Sequence, residues 1–237
     1  MIRSIVILTL VSLFGLSKSF AADVALDVGH SINKPGATAI SGAKELDLNI
    51  ALAKTVQTHL AADHISTHLI GDDGKMDVLT NRTHAAKDDA LFLSIHHDSI
   101  LKSWMPRVQD YSGFSVFVSR KNKQTAASLS CASKIGAALI KAGFKPSRYH
   151  ALPIEGQNRP FADEANGVHY FDDLIVLKTA KQPAVLLETG VIVNSVDEQL
   201  VTSAQGKQRI VEALKIALQT CMLDLKSAKE DEENRKR

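Results

Sequence analysis

The sequence predicts an α/β fold: a single domain with a mostly parallel twisted sheet and helices on both faces. Three observations predict it. Short apolar runs alternate with helical repeats of roughly 10–20 residues, the pattern of strand–helix–strand units. The strand-like runs are near-continuously apolar, as expected where both faces of a sheet are buried. No internal repeat and no Gly/Ser- or Pro-rich linker divides the chain of 237 residues.

The elements follow in order. "VALDV" (24–28) reads as a strand. "ELDLNIALAKTVQTHLAA" reads as a helix, because Leu46, Ile50, Ala53, Val56 and Leu60 recur at three- and four-residue steps. "ISTHLI" (65–70) is a second strand, "DVLTNRTHAAKDDA" a short helix, "LFLSIH" (91–96) a third strand and "GFSVFVS" (113–119) a fourth. "TAASLSCASKIGAALIKAG" is a helix ended by Gly143. "DLIVLKTA" opens a mixed segment, "PAVLLETG" (183–190) is another strand, and the last helix runs from near Gln205 to about Leu225. Residues 226–237, "KSAKEDEENRKR", carry nine charges in twelve positions and read as a disordered tail.

The first residues read as a targeting segment. Arg3 precedes the apolar run "IVILTLVSLFGL", and Ser19 and Ala21 form a small-x-small exit. This is the form of a secretory signal peptide over residues 1–21, and the run is shorter than the ~20 residues of a membrane span. The expected mature protein is exported, to the periplasm or the extracellular space, with 22–225 as its catalytic domain and no transmembrane segment. Cleavage removes Arg3 and Lys18 and leaves 26 basic against 26 acidic residues. With no basic stripe carrying interleaved aromatics, nucleic acid is not an expected partner. Cys131 and Cys221 both fall in helical stretches of an exported chain, where either a disulfide or two buried thiols is consistent.

Three strands end in residues able to do chemistry: "LDVGH" at His30, "FLSIH" at His96 and "PAVLLE" at Glu188. Ligands of open parallel sheets bind outside the carboxyl ends of the strands. Glu45, opening the first helix, lies near the same rim. Each has a plainer account alone: Glu45 as an acid favoured by the helix dipole, His30 as a turn residue. Together they supply two histidines and a carboxylate, a known zinc-ligand set with an open position, and a further carboxylate for proton transfer.

At these residues the chain resembles a family, the zinc-dependent N-acetylmuramoyl-L-alanine amidases of the type-3 group. The resemblance rests on "LDVGHSINKPGA", "GAKELDLNIALAKTVQTHL", "LFLSIHHDS" and "PAVLLETGVIVNSVDEQLV", in family order over about residues 24–202. It implies one zinc ion held by His30, Glu45 and His96, with Glu188 as the catalytic carboxylate. It also implies a single α/β domain and hydrolysis of the amide between the lactyl group of N-acetylmuramic acid and L-alanine in peptidoglycan. Several positions depart from the family pattern. His97 and Asp98 stand where Ala-Asn is common, and strand alternation points His97 away from the His96 side. "LIGDDGKMD" lacks an arginine the family places after its second strand; Arg82 fits a later one and reads as structural.

The segment "KPSRYHALPIEGQNRPFADEANGVH" (145–169) shows little helical period and reads as a polar loop and candidate substrate wall. His97, Asn158, Arg159, Asn166 and His169 are the candidate substrate-binding residues. His59, His64, His68 and His150 read as solvent-facing. No plug over the site is evident, so activity is expected without an activator protein, although one is not excluded, and the chain is expected to act as a monomer on peptidoglycan or muropeptides. Two other readings compete. A zinc carboxypeptidase usually draws its first ligands from a tight His-x-x-Glu, whereas His30 and Glu45 are 15 positions apart. A non-catalytic wall-binding module would have a broken ligand set, and here all four positions are filled.

Overall fold

The apolar run Val24–Val28 forms β1, and every residue of it is buried. Its alternation sorts side chains to two faces: Val24, Leu26 and Val28 enter the larger core cluster, while Ala25 enters the smaller one. Parallel neighbours flank it, β2 (Thr67–Ile70) on one side and β3 (Leu91–Asp98) on the other. β7 (Ala184–Val191) then pairs parallel to β3. The remaining strands are β4 (Ser115–Val118), β5 (Phe161–Asp163) and β6 (Val168–Tyr170). The sheet order is β2-β1-β3-β7-β4-β6-β5. β4 runs antiparallel to β7 and β6 parallel to β4, so these two strands are reversed, and the edge strand β5, antiparallel to β6, returns to the original direction. This computed structural model describes residues 21–154 and 156–236. The expected signal peptide lies outside the described residues except for Ala21.

Helices α1 (Glu45–Ala62), α3 (Thr125–Lys141), α5 (Ser195–Thr202) and α6 (Ala204–Arg235) cover one face. Leu52, Val56 and Leu60 of α1, Ile135 and Leu139 of α3 and Ile210, Leu214 and Leu218 of α6 are all buried there. The short helices α2 (Leu79–Ala85) and α4 (Ile175–Thr179) cover the other face, where Val176 and Leu177 pack with Phe92, Phe117 and Leu186. Cys131 of α3 and Cys221 of α6 form a disulfide across 90 positions. None of the helices spanning the described residues is long and apolar enough to cross a membrane.

Three regions differ from the sequence reading. α6 does not stop near Leu225 but continues as helix to Arg235, across the segment expected to be a disordered tail. Its charges form an acidic run, Glu230 to Glu233, and a basic end, but opposite signs also fall four residues apart, as at Lys226 and Glu230, Lys229 and Glu233, and Glu232 and Lys236. Glu232 accepts from Lys236 one turn on, and Lys226 reaches Asp23 at 2.9 Å. The polar segment 145–169 is not a plain loop: it holds a 3-10 turn at Tyr149–Ala151, β5 and the start of β6. A 3-10 stretch, Lys102–Asp110, follows β3 and had no counterpart in the sequence reading. Trp104 in it stacks on Tyr111 with ring centroids 4.5 Å apart.

Candidate metal centre and active-site cavity

β1, α1 and β3 bring His30, Glu45 and His96 together. One ligand atom from each lies within 4.8 Å of the others. Glu45 Oε1 stands 2.9 Å from His30 Nε2 and 3.1 Å from His96 Nδ1. Its other oxygen accepts from the Ala37 N–H at 3.0 Å, which fixes the carboxylate plane. The His97 N–H, 3.3 Å away, also points at Oε1. Burial pushes the Glu45 carboxyl up, but hydrogen bonds from both histidines outweigh it and hold the group well below the usual carboxylate range. His30 Nδ1 lies 3.2 Å from the Lys34 carbonyl, so the ring offers Nε2 to the cluster.

Local backbone chemistry serves this convergence. A Cβ on Gly29 would sit 2.3 Å from the His96 ring, so only glycine lets that ring lie against β1. A Cβ on Gly36, whose φ is +77°, would meet Glu45 Oε2 at 2.3 Å and the His30 ring at 2.7 Å. His30 itself adopts a φ of 74°, a left-handed conformation uncommon for a side-chain-bearing residue. Arg82 holds it there. The guanidinium is buried, donates to Asp27 Oδ1 at 2.7 Å, and donates to the carbonyls of Val28 and His30. Arg82 is thus structural, as its sequence position implied, and what it positions is the first residue of the cluster.

Glu188 faces His96 across the β3–β7 pairing. Its Oε2 is buried and has no hydrogen-bond partner among the described residues. Burial raises its pKa well above the usual range, and the nearby Asp98 and Glu45 carboxylates raise it further. His30, His96, Glu188, Asp98, His150 and Arg159 all line one cavity of about 350 Å3. The Asp98 carboxylate accepts from the Tyr149 hydroxyl, and its Oδ2 lies 2.7 Å from His150 Nε2. Gln157 Oε1 bridges His150 Nδ1 at 2.8 Å and Arg159 Nη1 at 2.7 Å.

All four principal residues read from the sequence therefore meet at one rim. Of the five candidate substrate-binding residues, only Arg159 lines the cavity. His97 is buried on the opposite face of the sheet, where Nδ1 lies 2.7 Å from Asn49 Oδ1, and no substrate reaches it there. Asn166 turns back to Asp163 Oδ2 at 2.7 Å beside α3, Asn158 is exposed in a left-handed turn, and His169 is fully buried beneath the wall. His169 Nδ1 lies 3.0 Å from the Arg159 carbonyl, so it braces the residue that does face the cavity. His150, read as solvent-facing, is buried against Asp98. Asp98, Tyr149, His150 and Gln157 were missed. The signal for Asp98 was present, since it stands two residues after His96 on one strand and so shares its face.

An α/β domain with a two-histidine, one-carboxylate donor set beside an unpaired carboxyl has the make-up of a metal-binding hydrolase. The chain belongs to the type-3 family of N-acetylmuramoyl-L-alanine amidases, whose model matches residues 24–220. Among curated relatives it is 28% identical over 199 residues to the "Probable cell wall amidase LytH" of Staphylococcus aureus, covering 81% of this chain and 57% of that protein. The chain thus spans little more than half the length of that relative. The fold is shared with the amidase Ami1 of Mycobacterium smegmatis at a TM-score of 0.70 and 20% identity, over 88% of this chain and 100% of that one. It is shared also with the catalytic domain of the amidase CwlV of Bacillus (Paenibacillus) polymyxa var. colistinus, at 0.65 and 24%, over 85% and 98%.

Proposed function

We propose that the protein is an exported zinc-dependent amidase that hydrolyses the bond between the muramoyl lactyl group and L-alanine in peptidoglycan. The observation that carries this reading is the cluster of His30, Glu45 and His96, whose two histidines line one cavity with Glu188 and its unpartnered Oε2. The donor set fits Zn2+: two imidazoles and one carboxylate, brought together on three separate elements. His30 Nε2, a Glu45 oxygen and His96 Nδ1 would hold the ion. When bound, it supplies Lewis-acid polarisation of a carbonyl and activation of water near neutral pH.

The chain's own residues do the rest. Glu188 Oε2 has a free lone pair in a site shielded from bulk water, so it takes the proton released as water adds to the amide carbon. The same oxygen then gives that proton to the departing alanine nitrogen, which leaves as an amine. A carboxyl held neutral by burial is a poor base; the charge of a cation beside it favours its ionised form. Asp98 does not compete for this role, because Tyr149 and His150 both engage its Oδ2 and its Oδ1 accepts from the Ser99 N–H. Residues 1–21 supply the export signal in this reading, and peptidoglycan lies where such a signal leads.

Substitution separates binding from chemistry. Glu45→Ala is expected to lose stoichiometric zinc, whereas Glu188→Ala keeps zinc and loses turnover by at least about a hundredfold. Metal analysis and mass spectrometry of digested peptidoglycan read both. Peptides beginning with a free L-alanine amine are the expected product. Loss of a carboxy-terminal residue, or normal turnover by Glu188→Ala, would overturn the reading.

A further inference from the structure

The cavity contains a cation that the hydrolytic step does not use. Arg159 lines it together with His30, His96 and Glu188, and no carboxylate among the described residues forms an ion pair with it. The side chain is nevertheless held in place. Its backbone N–H donates to the His150 carbonyl at 2.7 Å, and Nη1 donates to Gln157 Oε1 at 2.7 Å. The guanidinium lies 4.1 Å over the Phe171 ring and 5.9 Å from the Phe117 ring centre, and both rings line the same cavity. Its Nε is buried with no hydrogen-bond partner among the described residues. Of the two acids lining the cavity with it, Asp98 is already engaged by Tyr149 and His150, and Glu188 is the proton carrier of the hydrolytic step.

A planar cation fixed by stacking and by one amide, which Asp98 and Glu188 influence from the same cavity without an ion pair among the described residues, is a receptor for a further carboxylate. We infer that Arg159 is a specificity-determining residue that binds a free carboxylate of the substrate peptide, one residue beyond the scissile amide. This rests on the amidase reading, because that reading sets which bond lies at the metal centre. Two extended residues span about 7 Å, a reach that keeps the carboxylate in the cavity holding the cluster. The ligand class is therefore an acyl-L-alanyl peptide whose second residue carries its carboxylate free rather than as a carboxamide.

Two synthetic muramoyl peptides that differ only at this group, acid against carboxamide, test the assignment with the zinc-loaded protein. A charge-assisted hydrogen bond predicts that kcat/KM favours the acid by about tenfold to a hundredfold. In Arg159→Gln the ratio is expected to fall towards one, and in Arg159→Lys, which keeps the charge without the fork, to an intermediate value. Equal rates in the wild type, or an undiminished ratio in Arg159→Gln, overturn the inference. If Arg159→Gln does not fold, the wild-type ratio and Arg159→Lys carry the test. If the wild type cleaves neither peptide, the amidase reading fails. Calorimetric affinities for the acid and carboxamide forms of the L-alanyl peptide then decide Arg159 separately: a preference for the acid that is reduced in Arg159→Lys supports it, and equal affinities in the wild type, or an undiminished preference in Arg159→Lys, overturn it.

Discussion

Gly29 shows how far one absent carbon decides the site. The His96 ring occupies the space a Cβ would take, 2.3 Å from its nearest atoms, so Gly29→Ala must move either the ring or β1. Positioning changes around ligands typically weaken metal binding about 10- to 100-fold. That loss is expected here in a chelator-competition titration, with the far-ultraviolet spectrum unchanged; unaltered zinc affinity would show that the ring has another place to go. The left-handed residue here is His30, and the glycine beside it is needed for space rather than for its backbone angle. His30, Glu45, His96 and Glu188 were readable because each is a polar residue at the end of a strongly patterned element. Asp98 was readable by the same alternation. His150 and Gln157 were not, because their partners lie 52 and 7 positions away in a stretch without period.

At the scale of elements, legibility follows burial. β1, β3 and β7 are buried on both faces and open on apolar runs, so they announce themselves. β5 and β6 are three residues each at the sheet edge, and β5 is half-buried throughout, so neither carries enough pattern to be read. The tail was misread because its composition matched a solvated segment, while its i,i+4 charge order matched a helix. The Cys131–Cys221 disulfide joins α3 to α6, helices 90 positions apart that pack on the same face. Closing so long a loop restricts the unfolded chain, and removal of such a bond typically costs about 2–5 kcal/mol. The double variant Cys131→Ala, Cys221→Ala is therefore expected to unfold at lower denaturant with an unchanged spectrum. Both sulfurs are buried, so the bond should also resist reductant while the protein is folded. A midpoint equal to that of the oxidised wild type would place its contribution near zero.

For the whole molecule, four buried groups shape how metal-free stability depends on pH, and they act in opposite directions. His97 and His169 are held at about 4 by burial, below the usual histidine value of 6.5. Between those limits the unfolded chain binds protons that the folded one does not, so stability is full above 6.5 and falls as pH drops towards 4. The loss is on the order of 3 kcal/mol for each ring. Glu45 acts in the same sense further down: its depressed pKa stabilises the fold above about 4.5 and that stability is lost in acid. Glu188 opposes them. Burial keeps its proton on in the folded state after the unfolded carboxyl has lost it above about 4.5, so stability falls as pH rises, by at most about 1.4 kcal/mol per pH unit. Glu188→Gln replaces the neutral carboxyl by a neutral amide of similar shape and removes only this last effect. In the presence of chelator the variant is expected to melt above the wild type at pH 8, with the gap closing as pH approaches 4.5. Thermal unfolding at several pH values reads both. A gap absent at pH 8, or constant with pH, would mean that Glu188 is ionised in the fold, and the carboxyl would then be a base already poised before any cation arrives.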